Sequence, residues 1–245
     1  MSSKPQKRTG WNQGVFAQSI TQKEELGALR ILKDGRKFRY AKAGASALAA
    51  GKLAVAAAVA ADVMNEACTA IHAIGDTVFS ETITSAAAAY AENYFAGGYL
   101  QINDGTGEGH QYKILSSSAV AQAGTSITLI LEDPIRVATA GTSATEFSIV
   151  QSPWQAVIES ATLALPVGVT PIVVTAAYYY WAQTGGPAIA LSGNTDAVGK
   201  PLFQSTSTAG ALSGVDTASY YPMIALAMGT AGVGGEYKPV MLQLD

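Results

Sequence analysis

The chain has 245 residues, 49% hydrophobic but only 13% charged, with a net charge of −3. That length can bury a real core, while the charge content is about half the usual ~25%, so the chain is not a disordered polyelectrolyte. One cysteine excludes an intrachain disulfide and a cysteine-built zinc site.

The charges are unevenly placed. Residues 1–52 hold 11 of the 15 Lys and Arg and 3 of the 18 acids, net +8; the other 193 residues carry net −11. Residues 1–20 are polar, Gly-containing and aperiodic, and read as a tail. No apolar run follows Lys4, Lys7 and Arg8, so no signal peptide is read. Residues 21–45 place Asp34-Gly35 between two short apolar groups, which predicts a hairpin with a type I′ turn. With the tail they form a basic arm over 1–45. Its Arg30, Lys33, Arg36, Lys37, Arg39, Tyr40 and Lys42 are the candidate contacts to an acidic partner. No nucleic-acid-binding signature follows them, and the longest low-polarity run, Leu53 to Val63, is too short to cross a membrane.

Residues 46–73 are Ala-rich, a connector that is either helical or an extended small-residue strand. From Gly75 onward alternation predicts strands at 78–83, 99–103, 110–115, 127–135, 146–150 and 154–158, with a short helix over 86–94. This is a first β domain, 74–160. The second, 161–245, begins beyond Ala161 with strands at 178–183 and 187–191, then two closing strands around Ile224 and Val240. The fold class is mainly β: an extended N-terminal arm, then one or two small barrels or sandwiches, with minor α content.

Little in the sequence carries chemistry. His72 and His110 are the only histidines, and neither has a carboxylate and nucleophile arranged nearby in sequence. Asn103 to His110 matches neither a phosphate loop nor a calcium loop, and reads as a glycine-rich turn between strands. No catalytic residue, metal or cofactor is assigned, and the reading is non-enzymatic. The run Tyr178, Tyr179, Tyr180, Trp181 would send alternate rings to opposite strand faces, as core, subunit interface or sugar platform.

The order of segments 34–53, 97–114, 127–138, 178–191 and 236–245 resembles the capsid decoration (cement) proteins of tailed bacteriophages, which are encoded beside the major capsid protein. The resemblance covers most of residues 25–245 and has no catalytic motif. It implies a homotrimer on the outer surface of an icosahedral head, made in the host cytoplasm, whose partners are the major capsid protein and itself. A glycan- or receptor-binding head fibre using Tyr179 or Trp181 is the rival reading.

Overall fold

The computed structural model describes residues 10–141, 144–214, 222–229 and 233–245. Early in the chain lie β1 (Leu29–Ile31), β2 (Lys37–Lys42), β3 (Leu53–Val55), a 3-10 turn (Ala61–Val63) and β4 (Glu66–Ala67). The middle holds β5 (Val78–Thr82), β6 (Tyr99–Gly105), β7 (Gln111–Ser117), β8 (Ser126–Leu131) and β9 (Thr145–Val150). The last third holds β10 (Pro166–Val169), β11 (Tyr179–Leu191), β12 (Pro201–Gln204), β13 (Leu212–Ser213), β14 (Ala225–Ala227) and β15 (Tyr237–Gln243). The mainly-β expectation holds.

The division of the chain differs from the sequence reading. Unit 1 is residues 1–57 with 153–245, and unit 2 is 58–152. The sequence reading put boundaries near 45, 73 and 160 because it treated the basic segment as a separate arm. Instead β2 lies between β1 and β11, with Tyr180 paired to Ala41 and Trp181 to Tyr40. The described part of the arm, residues 10–45, is therefore wall and cover of unit 1. Its apolar residues explain this: Phe38 and Tyr40 alternate with Lys37 and Arg39, so one face of β2 must be buried.

Unit 1 carries a nine-stranded sheet in the order β1-β2-β11-β15-β14-β12-β13, with β10 joining β11 to β3. One face of the β2–β11 pair packs Phe38, Tyr40 and Trp181 under Val15, Trp11 and Leu26. The other packs Ala41, Tyr180 and Ala182 against Leu48, Val157 and Val174. The turn after β1 spans five residues; Gly35 has positive φ but Asp34 does not, so it is not type I′. Asp34 Oδ1 instead accepts the Arg36 amide at 3.1 Å.

The Thr184-Gly185-Gly186 stretch was expected to be a turn between two strands. It is a bulge inside one 13-residue strand, β11. Gly186 sits at φ +84°, and a Cβ on Gly185 would crowd Lys37. The bend lets β11 pair with β2 in its first half and with β15 in its second.

Unit 2 is a six-stranded antiparallel sheet, β4-β9-β6-β7-β8-β5, curled into a nearly closed barrel. Phe79, Leu100, Ile102, Tyr112, Ile114, Leu129, Phe147 and Ile149 fill its interior. Side chains bridge the seam between the ends of the sheet. Glu66 Oε2 accepts the Thr84 amide at 2.9 Å, and Glu81 Oε2 accepts the Thr69 amide at 2.9 Å.

Of the two alternatives for the Ala-rich segment, the extended one is found at its Leu53–Val55, and the helix expected over 86–94 does not form. Leu53, Ala54 and Val55 are wholly buried in a strand against β10. Around residue 90, the Ala86, Ala87 and Tyr90 amides bond to Gly124 O, Asp62 Oδ2 and Val120 O rather than to carbonyls four residues back. Tertiary packing overrides alanine's helix propensity at both places. The expected strand at 154–158 is irregular chain, touching β-partners only through single bridges at Val157 and Ile158.

Candidate interaction surface

The seven candidate arm residues lie on the β1–β2 hairpin, and several are committed within unit 1. Arg39 makes a paired bond to the Asp245 carboxylate, Nε to Oδ2 at 2.9 Å and Nη2 to Oδ1 at 2.8 Å, and donates to Gly27 O. Lys37 Nζ donates to the Asp245 main-chain oxygen at 2.8 Å. The hydrogen bonds from Arg39 hold the Asp245 carboxyl below its usual pKa, and the same bonds raise that of Arg39. Arg36 pairs with Asp34 at 2.8 Å. Tyr40 is fully buried, and its hydroxyl donates to Gln13 Oε1 at 2.7 Å. Burial is the main reason its pKa is raised.

Three of the seven keep cationic reach. Arg30 lies over Trp11 and Trp181 at 5.6 and 5.7 Å and donates to Gln13 O. Lys42 Nζ stands 5.2 Å from the Tyr179 ring. Lys33 is exposed. With Lys23, which sequence reasoning left out, these side chains have no carboxylate partner among the described residues. Lys23 could have been found from its place in the same basic segment.

Alternation puts Tyr179 and Trp181 on one face and Tyr178 and Tyr180 on the other, but both faces are packed, so burial does not alternate along the run. Tyr180 and Trp181 are fully buried, Trp181 donating from Nε1 to Gln13 O at 3.1 Å. Neither can present a ring to a sugar, so that use of Trp181 is withdrawn. Tyr178 and Tyr179 are half-buried, and Tyr179 stacks on Tyr40 with ring centroids 6.0 Å apart.

The best-organised titratable cluster is in unit 2. Thr69 donates its amide and hydroxyl to Glu81 Oε2, and Ala70 its amide to Oε1. His72 Nε2 lies 3.0 Å from Oε1. Burial alone would raise the Glu81 pKa; these hydrogen bonds outweigh it and hold the carboxyl below its ordinary value. An ionised carboxylate only accepts, so His72 presents Nε2–H to it. Its ring also stacks on Phe79 at 4.1 Å.

Cys68 is buried nearby, and burial followed by the Glu81 charge pushes its thiol up to about 12. A thiol so shifted is no nucleophile near neutrality. The cluster therefore works as a buried clamp across the barrel seam. His110 bonds to Gly107 O within its own turn. Among the described residues no group of three or more His, Cys, Asp or Glu is placed to hold a metal ion.

The two units differ sharply in charge. Unit 1 carries 13 Lys and Arg against 8 Asp and Glu, net +5, whereas unit 2 carries 2 against 10, net −8. Within unit 1 the positive excess lies in residues 1–57, net +8, whereas residues 153–245 carry 2 Lys and Arg against 5 acids, net −3.

No family model, curated protein or solved structure matches this chain.

Proposed function

We propose that this chain is a structural virion protein that decorates and cements the outside of an icosahedral phage head, with the major capsid protein and further copies of itself as partners. The observation that carries the proposal is where the resembling segments fall. They supply β2, β6, β7, β8, β11 and β15, the strands on which both units are built. Low overall charge and two oppositely charged bodies also suit a protein that works by contact. A homotrimer remains the assembly proposed.

The manner of attachment must change from that of a free arm. With residues 10–45 built into unit 1, the grip comes from a folded face whose unpaired cations are Lys23, Arg30 and Lys42, meeting an acidic shell. Chain connections at 57–58 and 152–153 join the two units, so contacts made by each with different capsid neighbours would be covalently tied and mutually reinforcing.

The test is binding of the purified full chain to empty heads. The proposal expects saturable binding that raises the heads' resistance to heat. It also expects the Lys23→Glu/Lys42→Glu variant to bind at least about tenfold more weakly, a loss of about 1.4 kcal/mol. Absence of head binding by the folded wild-type protein refutes it.

A further inference from the structure

One end of the unit 2 barrel combines acidity with exposed apolar side chains. Asp104 stands directly opposite Glu146 in the β6–β9 ladder, and Glu108 lies in the adjoining β6–β7 turn. Like charges across an antiparallel pair repel. Arg136, one of two cations in unit 2, donates to Gln111 O at 2.8 Å and lies 4.6 Å over Tyr112. Glu146 has no cationic partner among the described residues. The loop from Thr69 to Ile74 borders the same end: Cys68 donates its amide to Thr145 O, and Thr139 donates its amide to His72 O. This loop exposes Ile71 at 73% and Ile74 at 70%.

Unit 1 carries the complementary combination at the tip of the β1–β2 hairpin. Ile31 is 59% exposed and Lys33 exposed, while Arg36 reaches over Phe16, itself 61% exposed. Residues 31–37 hold Lys33, Arg36 and Lys37 against Asp34; Arg36 pairs with Asp34 and Lys37 donates to the Asp245 main-chain oxygen, so the tip stays net positive with Lys33 as its exposed cation lacking a carboxylate partner among the described residues. One surface thus offers carboxylates with two exposed isoleucines; the other offers Lys33 and a net positive tip with an exposed isoleucine and phenylalanine.

We infer that the acidic end of the unit 2 barrel in one copy receives the basic hairpin tip of unit 1 in another. Each copy has one of each surface, so the contact is head-to-tail and closes into a ring if the geometry returns on itself. Apolar contact and opposite charge would both supply attraction, and the charges would fix which surface meets which. The inference rests on the self-association in the proposed function and names its interface, using hairpin residues distinct from those assigned to the capsid.

The experiment uses the full chain, with self-association measured by sedimentation across a concentration series at about 0.02 M and about 1 M salt, where the screening length falls to a few ångströms. Wild type should associate at low salt and lose at least tenfold in affinity at high salt. Asp104→Lys/Glu108→Lys/Glu146→Lys should weaken association at least tenfold, as should Lys33→Glu/Arg36→Glu, and an equimolar mixture of the two should regain it. If the triple variant melts early, Asp104→Asn/Glu146→Gln replaces it and should flatten the salt dependence.

A wild type that stays monomeric, reversals without effect, or natively folded variants whose mixture fails to regain association overturns the inference. Head binding scored in parallel separates the two ideas: heads still decorated under those outcomes leave the proposed function standing without this interface.

Discussion

Replacing Glu81 probes the seam of the barrel. Its carboxylate accepts from the Thr69 amide and hydroxyl, the Ala70 amide and His72 Nε2, and its side chain is wholly inaccessible to solvent. Glu81→Ala strands all four donors. Thr69 and Ala70 are exposed residues, so water can replace part of the loss there, whereas the His72 ring is buried and cannot be served that way. Counting about 1–3 kcal/mol for each buried donor left unsatisfied and less for the others, the cost is about 3–4 kcal/mol. Glu81→Gln keeps one acceptor but turns an NH2 toward donors, for a loss of about 2 kcal/mol. Because the native pKa is lowered, this contribution is fully present above the unfolded value of about 4.3 and disappears as pH falls through the native one. Urea unfolding from neutral to acid pH reads both effects, and Glu81→Gln should flatten the acid limb. Amide exchange at Thr69 and Ala70 should quicken in either variant. A Glu81→Ala loss under about 1 kcal/mol, with exchange unchanged, would refute the clamp.

Trp181→Ala should cost about 3–5 kcal/mol in chemical denaturation, because the indole is fully buried between Trp11 and Tyr40; a change within error would mean that the ring faces solvent. Asp245→Asn should cost about 1 kcal/mol and remove a contribution that, with the Asp245 pKa lowered mainly by the Arg39 bonds, is present at neutral pH and lost as pH falls through the native value. Acid titration of stability checks it, an unaltered profile counting against the pair. Cys68 should resist a thiol reagent in the native protein at pH 8 and react fully in denaturant, as burial and a pKa of about 12 require; rapid native labelling would contradict this.

Strands were legible where alternation is strong. In β5, Val78, Ser80 and Thr82 face outward while Phe79 and Glu81 face in, and the sequence shows that period directly. The membership of the basic segment was hidden because Lys and Arg dominate its composition. The decisive residues, Phe38 and Tyr40, find their cover in Trp181, some 140 positions later. Alanine misled over 86–94 and left 46–73 undecided, because it favours helix locally while its small side chain also suits tightly packed strands such as Leu53–Val55. The glycine pair at 185–186 carries the same signal for a turn and a bulge, and only the availability of two pairing partners decides between them. The candidate cations were visible as residue types, but their pairing with Asp245 was not, since Arg39 and its acid lie at opposite ends of the sequence.

Lys42 pairs with Tyr179 across an intervening insert, and this sets a timetable for synthesis. At about 5–20 residues per second, a ribosome takes roughly 7–30 s to emit the chain between them. For that interval the N-terminal strands have no neighbour to complete their layer. Residues 58–152, emerging second and holding every strand of their own barrel, are then free to fold first, and the earlier segment must wait for the later one before either gains shelter.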